Sequence, residues 1–246
     1  MATRRERIGA QAPVIHGRNA VLEAARAGRV VRVYQAIGLG HDPRLDELAK
    51  LARIELVPAD RLDTIATGVH QGVAAELKPR RQWSLKELLA TSPSLLVALD
   101  GILDPQNLGA ILRSAEVAGS DGAVIPEHRS APLAPAAVKA SSGASELLKV
   151  AMVSGMPSAI ADIKRAGVWC VALDPRGELL PWEFDLTQRT CIVVGGEGEG
   201  VHRLVKERCD VRVRLPTVGH VASFNASAAA AALLYEVMRQ RGLAVR

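Results

Sequence analysis

Three polar, glycine-containing segments of this sequence could do chemistry, and the first follows the apolar run SLLVALDG. It spans 104–113 and reads DPQNLGAILR. Pro105 favours a turn, Asn107 is suited to cap a helix, and Gly109 would let another backbone come close. Arg113 could grip a phosphate with its planar guanidinium. Taken alone, the segment fits a structural cap and a surface arginine better than a ligand site.

The second segment, VVGGEGEG at 193–200, also follows an apolar run and contains four glycines. Without side chains, its amides and carbonyls would be open to close approach by a nucleotide-like ligand. The spacing is not GxGxxG, because Val201 is the sixth residue counted from Gly196. No βαβ unit with an acidic ribose partner follows it, so the pattern disfavours NAD.

The third segment, LPTVGHVASFNAS at 215–227, leads into the alanine-rich stretch AAAAALLYEVMRQR. Ser223, Asn225 and Ser227 alternate just before the predicted helix, which suits capping and ligand contact equally. The small side chains of the first turns would let that helix pack closely against a core or against another subunit.

Other chemistries find little support in the sequence. Cys170, Cys191 and Cys209 lack CxxC spacing and lie in or beside apolar stretches, which favours reduced core thiols in a cytoplasm. The six histidines share no ligand spacing, so we expect no metal. There is no GxSxG elbow and no GxxxxGK[ST] loop. No apolar stretch approaches the roughly 18 residues of a membrane helix, so we expect neither membrane insertion nor export.

The elements that must position these segments alternate between apolar strands and amphipathic helices. From residue 94 onward the apolar runs are continuous, which predicts a parallel sheet with helices on both faces. Ligands of such sheets bind at the carboxyl ends of the strands. A smaller α/β alternation of about three strands precedes it, and the stretch KPRRQW lies between the two. We therefore predict an α/β protein with domains at 1–80 and 94–246, joined by a linker at 81–93.

The excess positive charge is confined to the first third of the chain. Residues 1–90 contain 15 Lys and Arg against 10 Asp and Glu, whereas the remainder contains 16 of each. This asymmetry fits a first domain that holds a polyanion, although it also fits a mildly basic soluble surface. Aromatic residues are only 3% of the chain, so phosphate and shape contacts would dominate over base stacking in any RNA complex.

Taken together, the three segments resemble the ordered motifs of the SpoU-type RNA 2′-O-ribose methyltransferases. The shared patterns are Asn107-x-Gly109-x-x-x-Arg113, Gly195-x-Glu197-Gly198-x-Gly200 and Leu215-Pro216 through Ser223-Phe224-Asn225-Ala226-Ser227. The segment 140–146, ASSGASE, is also similar to the family. HGRNAVLEA at 16–24 and HQGVA at 70–74 resemble the ribosomal-protein-like (L30e/L7Ae-like) RNA-binding domain of the bacterial 23S rRNA guanosine 2′-O-methyltransferase branch.

The resemblance implies a small N-terminal substrate domain and a C-terminal catalytic domain whose last segment threads a trefoil knot. It implies that S-adenosylmethionine is the cofactor and that backbone groups make most of its contacts. The implied cofactor-binding residues are Gly195, Gly196, Leu215, Ser223, Phe224 and Asn225. Phe224 stands where the family usually has leucine and Ala226 where it has valine, and both changes keep an apolar residue.

The resemblance also implies the reaction, in which a ribose 2′-hydroxyl attacks the sulfonium methyl group. Arg113 would grip phosphate and stabilise the developing alkoxide, since a guanidinium is a poor base. The other implied catalytic residues are Asn107, Glu197 and Asn225. We expect a cytoplasmic homodimer that acts on RNA, most simply a guanosine of 23S rRNA. The same reaction on tRNA or on an antibiotic-resistance rRNA site, and a non-catalytic RNA-binding assembly factor, remain alternatives.

Overall fold

The computed structural model describes residues 13–66, 68–79, 81–220 and 223–242. The chain divides into two compact units, Met1–Arg81 and Gln82–Arg246. Most of the segment that the sequence suggests as a linker therefore folds with the second unit, where Trp83 forms a bridge with Ala151 of a sheet strand. Within the described residues, no helix is both long and apolar enough to span a membrane.

The first unit is a four-stranded mixed sheet with helices. Its elements are β1 (Val14–His16), α1 (Arg18–Arg26), β2 (Val30–Ala36), α2 (Pro43–Leu51), β3 (Ile54–Val57), α3 (Ala59–Ile65) and β4 (Val73–Leu77). The strand order is β1-β4-β2-β3, with β4 antiparallel to both of its neighbours. The expectation of about three strands missed β1, because three residues are too short to show a pattern of alternation.

The second unit contains six strands and the helices that cover them. Its elements are α4 (Leu85–Ala90), β5 (Leu95–Asp100), α5 (Pro105–Val117), β6 (Gly122–Pro126), α6 (Pro135–Ala140), α7 (Ala144–Leu147), β7 (Lys149–Val153), α8 (Met156–Arg165), β8 (Trp169–Leu173), β9 (Thr190–Gly195), α9 (Arg203–Arg208), β10 (Val211–Val213) and α10 (Ala226–Gln240). The order is β10-β8-β9-β5-β6-β7, and every pairing is parallel.

Each face of this sheet packs against helices in its own apolar core. Side chains of β5 alternate between the two faces, so that Leu95, Val97 and Leu99 join α5 and α10, while Leu96 and Ala98 join α4, α8 and α9. Both β5 and β9 are buried along their whole length. The expected parallel sheet with helices on both faces is therefore confirmed.

Gly109 sets how closely α5 lies against α6. A Cβ at this position would lie 2.5 Å from the carbonyl oxygen of Ala137 and 2.5 Å from the Cβ of Ala140. Backbone cannot yield as a flexible side chain can, so any larger residue would push the two helices apart. The close approach expected of Gly109 is confirmed, and its partner is protein backbone.

Candidate active site

The candidate site lies at the carboxyl edge of the second unit's sheet, where two central strands end side by side. Asp100, the last residue of β5, is directly opposite Gly195, the last residue of β9. The amide of Gly196 then donates to the carbonyl of Asp100 at 3.0 Å. The loop after β5 and the glycine-rich loop after β9 are therefore held together from their first residues.

Helix α5 starts earlier than the sequence suggested. Its N-cap is Asp104, whose carboxylate accepts from the amides of Gln106 at 3.1 Å and Asn107 at 3.3 Å, with Pro105 in the first turn. The expectation that Asn107 caps the helix is wrong. An Asp-Pro pair is a recognisable start signal, because proline lacks the amide that would need a partner. The side chain of Asn107, which is buried, is consequently free to make tertiary contacts.

A three-residue polar cluster joins all three chemical segments of the sequence. Oε1 of Glu197 accepts from Nδ2 of Asn107 at 2.9 Å and from Nδ2 of Asn225 at 2.7 Å. Nδ2 of Asn225 also lies 3.0 Å from Oδ1 of Asn107 and donates to it. We call Asn107, Glu197 and Asn225 the amide–carboxylate cluster. Its members fix the relative position of α5, the glycine-rich loop and the start of α10.

Asn225 also caps α10, so the cluster and the helix form together. Its Oδ1 accepts from the amide of Ser227 at 2.9 Å, from the hydroxyl of Ser227 at 2.6 Å and from the amide of Ala228 at 3.3 Å. The two ends of one side chain thus serve two purposes, since the oxygen caps the helix while the nitrogen reaches Glu197. An aspartate would keep the cap and lose the donor.

Two glycines of the loop after β9 serve backbone packing. A Cβ on Gly195 would lie 1.9 Å from the carbonyl carbon of Gly200, and one on Gly196 would lie 2.1 Å from the carbonyl oxygen of Gly101. Gly198 and Gly200 have positive φ angles of 87° and 66° and meet nothing within 4 Å. The backbone therefore fills the space on the Cβ side of Gly195 and Gly196, whereas a Cβ at Gly198 or Gly200 would meet open space.

A cavity of about 200 Å³ lies beside the cluster. Its lining residues are Gly101, Ile102, Leu103, Asp104, Asn107, Gly196, Glu197 and Ala226. Leu103, at its rim, is 69% exposed, and Phe224, next to the cluster residue Asn225, is 52% exposed. The site therefore offers polar groups from the cluster together with large apolar side chains that face outward.

The structure brings some of the expected site residues together and separates others. Asn107, Gly196 and Glu197 line the cavity, and Asn225 is bonded to two of them. Gly195, Leu215, Ser223 and Phe224 are not among the residues that line it. Ser223 is exposed and Leu215 is partly exposed, on a segment whose residues 221 and 222 lie outside the described part of the chain.

Arg113 does not reach the cluster within the chain. Six residues separate it from Asn107, which places it about 240° further round α5. Its guanidinium is exposed, and Nη1 donates to Oγ of Ser142 at 3.1 Å, at the turn between α6 and α7. Ser142 has a positive φ of 51°. The arginine therefore faces the turn formed by the ASSGASE segment.

Sequence reasoning missed an acid–histidine pair at the same edge. Oδ2 of Asp100 accepts from the backbone amide of His202 at 2.7 Å and from its Nδ1 at 2.9 Å. The aspartate is 5% exposed. The only available signal was an acidic residue at the end of an apolar strand, and nothing in the sequence links it to a histidine 102 positions later.

Metal and thiol chemistry find no support in the described residues. Over those ranges there is no group of three or more His, Cys, Asp and Glu side chains that could hold a metal ion. Burial raises the pKa of the Cys209 thiol, and the neighbouring Cys170 together with burial raises the pKa of Cys191. A raised pKa keeps these sulfurs protonated, which makes them poor nucleophiles and agrees with core thiols.

Comparison with protein families gives two adjacent matches. Residues 94–235 match the model of the SpoU rRNA Methylase family, and residues 14–83 match the model described as RNA 2′-O ribose methyltransferase substrate binding. The first match contains the whole amide–carboxylate cluster and Arg113. The second coincides with the four-stranded unit.

Named relatives and solved structures agree with these matches. The chain is 40% identical over 223 residues to the 23S rRNA (guanosine-2′-O-)-methyltransferase RlmB of Pseudomonas syringae pv. tomato, covering 87% of this chain and 89% of that one. It is 40% identical over 240 residues to an uncharacterized tRNA/rRNA methyltransferase of Mycolicibacterium vanbaalenii, covering 93% and 76%. The SpoU methyltransferase AviRb of Streptomyces viridochromogenes, solved in complex with AdoMet, superposes with a TM-score of 0.79 at 26% identity, covering 98% of this chain and 94% of that one.

Removing the acceptor of the amide–carboxylate cluster should destabilise the second unit. Glu197→Ala leaves the buried amide of Asn107 without its carboxylate partner, and an unsatisfied buried donor costs about 1–3 kcal/mol. Urea denaturation followed by circular dichroism would measure the change in the free energy of unfolding. Glu199→Ala, in the same loop at an 85% exposed side chain, is the matched control and should stay within about 0.5 kcal/mol of wild type. Equal effects of the two variants would contradict a cluster that holds the loops.

Proposed function

The chain belongs to the SpoU rRNA methylase family, and from this membership we propose that it transfers a methyl group from S-adenosylmethionine to the ribose 2′-hydroxyl of a guanosine in 23S rRNA. The observation that carries the proposal is the amide–carboxylate cluster, because it unites one residue from each family motif beside a cavity at the carboxyl edge of the sheet. The relatives named for this reaction cover nearly the whole chain. We expect this modification of rRNA to take place in the cytoplasm.

The residues at this edge fit S-adenosylmethionine. A cavity of about 200 Å³ is below the roughly 300–1,000 Å³ of common ligand pockets, so groups outside it must also contribute. The exposed side chain of Phe224 and the partly exposed Leu215 supply apolar surface, and the loop from Gly195 supplies backbone donors and acceptors. We assign cofactor binding to Gly195, Gly196, Leu215, Ser223, Phe224 and Asn225. When bound, the cofactor supplies an electrophilic methyl group on a sulfonium.

The protein's own task is to orient the ribose and to stabilise the charge that develops on its oxygen. The cluster fixes the two loops against α5, which holds the reacting geometry without further rearrangement. Arg113 carries a permanent positive charge and five donors, and it acts on phosphate and on the developing alkoxide. Catalysis is thus assigned to Arg113 with Asn107, Glu197 and Asn225 as its supporting groups.

We further propose a homodimer in which Arg113 serves the site of the partner subunit. Arg113 points away from the cluster of its own chain, as its contact with Ser142 indicates. Helices α5 and α10, which pack together, expose Val117 at 65% and Tyr235 at 69%. Such exposed apolar side chains on adjoining helices suit a subunit interface. Because the chain belongs to this family, we also propose that its C-terminal segment follows a knotted path.

We propose that the first unit binds the RNA substrate. Two guanidinium groups, Arg18 and Arg44, flank the buried carboxylate of Asp42 at 2.5 and 2.6 Å. Arg44, followed by Arg18, holds the pKa of Asp42 well below its usual range, so the carboxylate stays charged and keeps both arginines oriented. The trio carries a net positive charge. Oriented guanidinium groups of this kind bind the phosphates of RNA.

Two other candidates remain. Methyl transfer to tRNA or to a resistance-conferring rRNA site would leave every residue role unchanged. The Mycolicibacterium relative, which is named as a tRNA/rRNA methyltransferase, supports this alternative. A non-catalytic assembly factor would have no need to keep Arg113 and the complete cluster.

Methyl transfer by wild type and by Arg113→Ala tests the function directly. With labelled S-adenosylmethionine and unmodified 23S rRNA, wild type should place label in 2′-O-methylguanosine. The variant should be about 100- to 1,000-fold slower, because a preorganised charge on the developing oxyanion is lost. Arg165→Ala, a surface arginine paired with Asp162, controls for loss of charge alone. Label in tRNA instead of rRNA would transfer the proposal to tRNA, and absence of label from both would overturn it.

Mixing two inactive variants tests the shared site. If Arg113 acts on the partner's cluster, Arg113→Ala mixed with Glu197→Ala should regain about a quarter of wild-type activity, because half of randomly exchanged dimers carry one intact site. Light scattering on the mixture establishes that dimers are present. A monomer mass, or dimers with no regained activity, would contradict an arginine that acts across the interface.

Salt titration of RNA binding tests the first unit. Arg18→Ala should reduce the slope of log affinity against log salt by about 1, since one phosphate contact is removed. Arg26→Ala is the matched control, because Glu23 and Glu47 already neutralise that arginine. A slope unchanged by Arg18→Ala, measured by filter binding to rRNA, would place the phosphate contacts elsewhere.

A further inference from the structure

A buried carboxylate lies against Nδ1 of His202, and this contact favours one tautomer of the ring. Both the backbone amide and Nδ1 of His202 donate to the same oxygen of Asp100, at 2.7 and 2.9 Å. Because Nδ1 faces a carboxylate, it carries the ring proton, and Nε2 of the neutral ring keeps its lone pair. The side chain is 38% exposed. The other nitrogen, Nε2, lies 3.6 Å from a carboxylate oxygen of the exposed Glu199, which is longer than a hydrogen bond. An imidazole oriented by a carboxylate on one nitrogen, with the other nitrogen available, is the usual arrangement of a proton acceptor.

The imidazole lies beside the cavity of the candidate active site. A Cβ added to Gly101, which lines that cavity, would be 3.0 Å from Cε1 of His202. In the sequence, the glycine-rich loop that contains Glu197 comes just before His202. The ring therefore occupies the space that a side chain at position 101 would need, so it packs against a residue of the cavity wall, although His202 itself is not among the lining residues.

The proposed reaction needs a proton acceptor, and the other polar groups of the site are poorly suited to be one. A guanidinium does not accept a proton. Oε1 of Glu197 already accepts two amide hydrogens, and the carboxylate oxygens of Asp104 cap α5. These carboxylate oxygens are thus occupied by hydrogen-bond donors of the protein itself. His202 has an acceptor nitrogen that is not used in this way.

We propose that His202 is the terminal acceptor of the proton that leaves the ribose 2′-hydroxyl, an inference that rests on the proposed function. The ribose oxygen bonds to the methyl carbon as the carbon–sulfur bond breaks, and sulfur keeps the electron pair of that bond. The hydroxyl proton passes to Nε2, directly or through one water. Sulfonium and neutral imidazole become thioether and imidazolium, so charge and atoms balance.

The charges around the ring stabilise the imidazolium that results. Asp100 from β5 faces Nδ1, and Glu199 from the glycine-rich loop lies 3.6 Å from Nε2. On α9, Arg203 and Lys206 are paired with Glu207 and Asp174. A ring that is already protonated cannot accept a second proton, so only the neutral ring can serve as the acceptor.

Single-turnover methyl transfer by His202→Asn tests whether Nε2 of His202 accepts the proton. Asparagine places an amide nitrogen near the position of Nδ1 and can still donate to Asp100, but it has nothing at Nε2. We expect a rate about 100-fold lower, with unchanged cofactor affinity by calorimetry and loss of the imidazole-dependent limb of the pH profile. Free imidazole should partly restore His202→Ala. His128→Asn, an exposed histidine on the loop after β6, is the matched control.

Nitrogen-15 NMR of the imidazoles in the cofactor-free protein supplies a readout that is independent of turnover. The His202 resonances, identified by their loss in His202→Asn, should report a protonated Nδ1 in the neutral ring. A protonated Nε2, or a wild-type rate and pH profile in His202→Asn, would overturn this inference while leaving the proposed function intact. Absence of methyl transfer by the wild type would overturn both.

Discussion

The parallel pairing of β5 with β9 is the constraint on which the candidate site depends. Register places Asp100 opposite Gly195, so two loops that are about 95 residues apart in sequence leave the sheet at adjacent points. A slip of one residue would turn every side chain of the strand to the opposite core. Six consecutive residue pairs between β5 and β9 hold this register, and the position of Glu197 against Asn107 follows from it.

Much of the fold could be predicted because it depends on local patterns. Continuous apolar runs such as SLLVALDG and TCIVV gave the parallel strands, and helical spacing gave α5 and α8. The short strand β1 could not be seen, since three residues carry no periodicity. The start of α5 was misplaced because Asn107 is also a good cap residue, although the pair Asp104-Pro105 signals the true start, and the buried tertiary contact of Asn107 could not be read from the sequence.

The site was less accessible to sequence reasoning because its contacts are long-range. The motifs could nominate Asn107, Glu197 and Asn225 through family resemblance, but only the fold shows that one carboxylate oxygen joins the other two side chains. The roles of the nominated residues stay predictions. Asp100 and His202 were not nominated at all, because the signal of such a pair is a distance across the sheet edge and not a spacing along the chain.

The charges at the cavity edge contrast with the excess of positive charge in the first third of the chain. The cavity edge is rich in carboxylates, with Asp100, Asp104 and Glu197 all engaged by donors of the protein itself. Those groups orient loops and the imidazole, but they repel an incoming phosphate backbone. In the proposed function, cationic side chains outside this set of carboxylates therefore supply the free energy of RNA binding.

Arg113 lies outside the cluster on α5, and the pair Arg18 and Arg44 lies in the other unit, where the excess of positive charge is found. In the proposed function, the guanidinium groups of the first unit would bind RNA phosphates, while the carboxylates at the sheet edge of the second unit orient its loops and the ring of His202.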